Sequence, residues 1–181
     1  MFYHYNKSTL KLTKIPLKYL IAIALSILLI SLGVGFILKK KETHTQVVKI
    51  HVENKPEFTE DSLINLLKSL NIKFPHIVLA QSKIETGHFK SKIFLENHNL
   101  FGMKHARQRA STAKGTQYNH AYYDSWVLSV YDYALYSCRY LSGFKNETEY
   151  LEYLKNTYAE DPNYVNKIKS IVKKENLKTK F

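Results

Sequence analysis

From Tyr19 to Leu38 the chain runs for 20 residues without a charge, most of them apolar. At about 1.5 Å of rise per residue, a helix of that length crosses about 30 Å of hydrocarbon. The run therefore predicts one transmembrane helix, and any globular domain has to fold outside it. Lys7, Lys11, Lys14 and Lys18 precede it and Lys39, Lys40 and Lys41 follow it, so flanking charge says little about orientation. The run ends in Phe36-Ile37-Leu38-Lys39 with no small-residue cleavage pattern, which predicts an uncleaved signal anchor.

The rest of the 181 residues is enough for one domain with a proper core. Basic residues outnumber acidic ones by 27 to 15, but seven lysines and none of the acids fall in 1–41, which leaves 20 against 15 beyond. So mild a surplus suits an anionic polymer and is too diffuse for a nucleic-acid footprint. Cys138 is the only cysteine, which rules out an intrachain disulfide, and its place in an apolar helical stretch predicts burial. The eight histidines are scattered without metal-ligand spacing, and no motif calls for a cofactor.

Residues 42–58 mix charged, polar and β-branched residues without periodicity and contain Pro56, as a tether does. Thr59 followed by Glu60 and Asp61 marks a helix start, and Leu63, Leu66, Leu67 and Leu70 form its apolar stripe, predicting a helix over 59–71. Pro75 opens a second, largely buried helix that stops at Gly87. Between Ser91 and Gly115 the pattern is irregular, and Thr116–Tyr123 can supply short strands. Asp124 or Ser125 caps a long helix reaching Gly143; further helices are expected over about 147–157 and 163–174. The fold class is mainly α with a small β-hairpin. Four segments result: 1–18, the anchor 19–38, a linker 39–58 and the domain 59–181.

Glu85 sits in the last turn of the apolar second helix, just before Gly87, where a side chain can point from packed surface into a cleft. Such a setting raises a carboxyl pKa. Glycoside hydrolysis requires an acid that is still protonated near neutral pH and can donate to the leaving oxygen.

Ala80-Gln81-Ser82-Lys83-Ile84-Glu85-Thr86-Gly87 and Asn97-His98-Asn99-Leu100-Phe101-Gly102-Met103-Lys104 resemble the signature of glycoside hydrolase family 73, the cell-wall glucosaminidases. Further matching blocks are Ala121–Trp126, Ser129–Tyr133 and Tyr158–Tyr164, so that the resemblance covers about 60 to 175 in family order. Arg107-Gln108-Arg109-Ala110-Ser111-Thr112-Ala113 is similar to the branch of short, anchored members. The resemblance implies a lysozyme-like helical domain with a β-hairpin lobe, acting on peptidoglycan glycan strands as an endo-β-N-acetylglucosaminidase with Glu85 as general acid. It also implies a domain facing outward, periplasmic or extracellular, from a cytoplasmic membrane held through 19–38. Gln81, Asn99, Phe101, Gly102, Tyr122, Tyr123, Trp126 and Tyr158 are the expected substrate-binding residues.

Many members carry a second glutamate in the hairpin, in a Thr-x-Glu-Tyr context; here the nearest look-alike is Thr116-Gln117-Tyr118. Two mechanisms stay open: Asp124 or Asp132 activates a water, or the substrate's own acetamido oxygen attacks. A non-catalytic wall-binding module and a lytic transglycosylase are the competing readings of the same fold.

Overall fold

The computed structural model describes residues 3–6, 11–14, 18, 21–22, 25–26, 48, 50, 55–158 and 161–181. The chain divides into two compact units, Met1–Glu42 and Thr43–Phe181. In the first, β1 (Tyr3–Asn6) and β2 (Lys11–Lys14) pair antiparallel, Tyr3 opposite Lys14 and Asn6 opposite Lys11, where the sequence pattern predicts no element. The expected membrane span over 19–38 lies outside the described residues except for Ile21, Ala22, Leu25 and Ser26, which are helical and exposed. Among the described residues no helix is long and apolar enough to cross a membrane.

The second unit is built around one buried helix. Helix α1 (Glu60–Ser69) starts at Thr59, whose hydroxyl accepts the Ser62 amide at 3.0 Å, and it buries Leu63, Ile64 and Leu67. Helix α2 (Pro75–Glu85) opens on proline after Phe74, whose φ of 51° turns the chain sharply. Every residue from His76 to Lys83 is buried, so α2 has protein on all sides and its apolar residues Ile77 to Ala80 run continuously rather than in a stripe. Each fully buried aliphatic side chain here, such as Ile77 or Leu79, contributes about 1.5–3 kcal/mol. Lys83 is tolerated because Glu175 lies at 2.8 Å and Glu60 bonds it as well, while Lys180 reaches Glu60 at 2.6 Å.

Helix α3 (Lys92–Asn97), capped by Ser91, lies in the stretch read as irregular. Strands β3 (Gly115–Gln117) and β4 (His120–Tyr122) form the expected hairpin. Tyr118 and Asn119 join them at φ of 51° and 60°, the two left-handed residues a two-residue turn of this hand needs. Helix α4 (Trp126–Tyr140) follows, then α5 (Glu147–Tyr153) running into a π-helical turn (Leu154–Tyr158), α6 (Tyr164–Lys174) and a 3₁₀ turn (Leu177–Lys180).

Two expectations are corrected. Cys138 is exposed, because the buried line of α4 runs through Val130, Tyr133, Ser137 and Leu141, and residue 138 falls about 80° away from Val130 at 3.6 residues per turn. Part of the stretch read as a free tether is docked on the domain. The Trp126 indole donates to the Pro56 carbonyl at 2.9 Å, and Phe58 packs edge-on against Trp126 and Phe94. Trp126 is thus a buried anchor for the incoming chain.

Candidate active site

A cleft of about 920 Å³ opens between the end of α2, the turn after α3, the hairpin and the C-terminal helices. Glu85 lines it, with Phe101, Gly102, Arg107, His120, Tyr136, Tyr140, Tyr158, Asp161 and Tyr164 among its neighbours. A smaller apolar hollow of about 400 Å³ around Ile77, Leu151 and Ile168 contains none of the blocks that carry the resemblance's chemistry except through the back of α2.

Glu85 is half-buried at the last position of α2, and Thr86 closes the helix behind it. Its Oε1 accepts one hydrogen bond, from the Tyr164 hydroxyl at 2.7 Å. Burial holds its carboxyl above the usual range, against the opposing pull of the Tyr164 donor and the charge of His120. Tyr164 is itself pushed far up by burial and by facing the carboxylate, so it stays a donor. The other carboxylate oxygen lies against Gly102, where φ is +63° and a Cβ would come to 2.7 Å from Oε2. Any other residue at 102 would be strained in its backbone and would displace the acid.

Several of the expected substrate contacts also build this position. Asn99 is buried: its Oδ1 accepts the amides of Phe101 and Met103, and its Nδ2 donates to the carbonyls of Met103 and Ala121. That ties the Asn99–Met103 turn to β4 and holds Gly102 beside Glu85. Gln81 is fully buried one turn below the acid; its Oε1 accepts from Tyr150 at 2.6 Å and its Nε2 donates to Tyr164 at 3.5 Å. The amide therefore leaves the Tyr164 proton for Glu85. Phe101 is buried and stacks on Tyr133, presenting chiefly its backbone, whose carbonyl accepts from the Tyr158 hydroxyl at 2.8 Å. Tyr158 does line the cleft. Tyr122 packs over Gly115 and is not among the cleft-lining residues.

The two aspartates offered as bases are placed elsewhere. Asp132 is fully buried and saturated: Arg109 grips it with two nitrogens at 2.8 and 3.0 Å, the Thr112 amide donates at 3.2 Å and Tyr123 at 2.8 Å. Tyr123, buried beside it, is spent on this cluster. Asp124 is a surface residue paired with Lys114 at 2.7 Å. Neither lines the cleft. Sequence reasoning passed over Tyr164, His120, Asp161 and the aromatic pair Tyr136 and Tyr140, whose rings lie 5.1 Å apart on one face of α4. The last pair carries a readable signal, the i, i+4 spacing that puts two rings on one side of a helix, and Asp161 and Tyr164 lie in the Tyr158–Tyr164 block.

The fold and site thus define a helical domain whose cleft presents a desolvated carboxyl, Glu85, beside a short hairpin. Residues 60–177 match the family model Glucosaminidase, described as mannosyl-glycoprotein endo-beta-N-acetylglucosaminidase, and the chain belongs to that family of glycoside hydrolases. Among solved structures it is similar to the catalytic domain of the autolysin Auto from Listeria monocytogenes, at 22% identity over 71% of this chain and 92% of that one, with a TM-score of 0.48. No curated protein sequence matches the chain.

Proposed function

We propose that the chain hydrolyses the glycan strands of peptidoglycan as an endo-β-N-acetylglucosaminidase, with Glu85 as general acid. The observation that carries this reading is the setting of Glu85: open to a cleft, its carboxyl raised above the usual range by burial, touched by a single neutral donor and paired with no cation. Among carboxyls near a cleft, that is what proton donation to a leaving oxygen requires. The cleft suits a long substrate with sugar faces and carboxylates, since Tyr136, Tyr140 and Tyr158 offer ring faces and Lys104 and Arg107 offer exposed charge. Outward display from a single-pass anchor over 19–38 belongs to the same proposal and is supported by the length of the uncharged run.

The test is a digest of purified peptidoglycan with the new ends identified by mass spectrometry. Reducing N-acetylglucosamine ends are expected; anhydro-sugar ends would make the protein a lytic transglycosylase, and no new ends a binding module. For the anchor, protease added to intact spheroplasts is expected to remove 42–181, and full protection would reverse the orientation.

A further inference from the structure

Glu85 supplies one proton, but the water that replaces the leaving group must lose one. Among the described residues, the cleft holds two further side chains able to accept it, Asp161 and His120. Asp161 is already engaged: Lys167 lies 2.6 Å from Oδ2, the Asn163 amide donates to Oδ1 at 2.8 Å, and the Lys167 bond, then the amide, hold its carboxyl below the usual range. A carboxylate so stabilised is a weak proton acceptor.

His120 is differently placed. It is the first residue of β4, directly after the tight turn, and its Nδ1 lies 2.7 Å from the Tyr118 carbonyl oxygen. A carbonyl only accepts, so the bond is made by Nδ1–H, and in the neutral ring the lone pair is on Nε2. The ring lines the same cleft as Glu85. The turn that shapes the hairpin therefore also fixes which nitrogen is the base.

We infer that His120 is the second catalytic residue of this cleft, its Nε2 taking a proton from the water that attacks the anomeric carbon. The inference rests on the reading of Glu85 given above. As the bond from the anomeric carbon to the glycosidic oxygen breaks, its electron pair leaves on that oxygen, which takes the Glu85 proton. The water oxygen bonds to the anomeric carbon and passes one proton to Nε2. The step leaves a Glu85 carboxylate and a His120 imidazolium; exchange with solvent restores both, and one water is consumed per bond cut. Attack from the face opposite the leaving group inverts the centre, so a β-linked strand gives an α-configured end.

His120→Asn separates chemistry from architecture, because its side-chain amide can still donate to the Tyr118 carbonyl but provides no Nε2. In the full chain acting on purified peptidoglycan, His120→Asn and His120→Ala are both expected to lower turnover about 100-fold or more with unchanged circular dichroism. Proton NMR of the wild-type digest is expected to show the α-anomer first. Near-wild-type turnover in His120→Asn would mean that the ring only braces the hairpin and would overturn the assignment, as would a β-anomer as first product. Glu85→Gln run alongside tells the two failures apart: inactive Glu85→Gln with active His120→Asn sinks His120 alone, whereas active Glu85→Gln sinks the reading on which it rests.

Discussion

Asp132 and Glu85 are both carboxylates on helices beside the same lobe, and their surroundings are opposite. Asp132 meets a bidentate guanidinium, a backbone amide and a phenol and has no exposed surface. Glu85 meets one phenol and open cleft. A carboxylate whose acceptor sites are all filled, with an arginine among the donors, acts as a structural post. One that is desolvated without a cation is held towards the neutral acid and is free to give its proton away. Which kind a given acid is depends on what converges on it, not on its residue type or its helix.

The sharpest way to break this contrast is to remove each charge. Asp132→Asn strands Arg109 in the interior and is expected to cost about 3–5 kcal/mol, the usual scale for halving a buried pair, read by denaturant unfolding. Unchanged stability with abolished turnover would return Asp132 to the chemistry. Glu85→Gln should do the reverse, keeping stability while lowering glycan cleavage at least ~100-fold, about 2.7 kcal/mol of barrier.

A finer probe is Tyr164→Phe. The phenol favours the charged form of Glu85, so deleting it leaves burial less opposed and raises that pKa further. An acid catalyst is lost as pH climbs through its pKa, so the alkaline limb of kcat/KM should move to higher pH; a shift the other way would mean that Tyr164 does not donate to Glu85. Smallest of all, Asp124→Asn removes an exposed pair with Lys114 and should change stability by about 1 kcal/mol or less and turnover hardly at all.

Much of the fold is legible because it rests on local rules. Thr59 and Pro75 start helices where capping chemistry says they should, and the stripe through Leu63 and Leu67 faces the core. Helix α3 escapes because six residues hold too little periodicity to read. At the site, Glu85 is readable from its apolar helix and the glycine beyond it, but the pairing is not: Tyr164 lies 79 residues away, and its place in the Tyr158–Tyr164 block does not say what its hydroxyl meets. Asn99 and Gln81 stand out in the sequence, but their burial and internal hydrogen bonds are not legible there. A polar residue in a conserved-looking block can serve a substrate or the backbone, and only burial tells which. The pairing of Asp132 is hidden for the same reason, since Arg109 lies 23 positions earlier.

The ion cluster on α2 has a topological consequence. Glu60 opens the first helix and Lys180 is the next-to-last residue of the chain, yet their side chains meet at 2.6 Å, with Lys83 and Glu175 joined to them. The domain is therefore nearly a closed ring, its entry and exit at one pole. A short linker joining residue 181 to residue 55, so that Pro56 and Phe58 keep their contacts with Trp126, and new ends cut in the exposed turn at Ser142–Gly143 should give a circular permutant that still folds, because the covalent path would follow a junction the side chains already make.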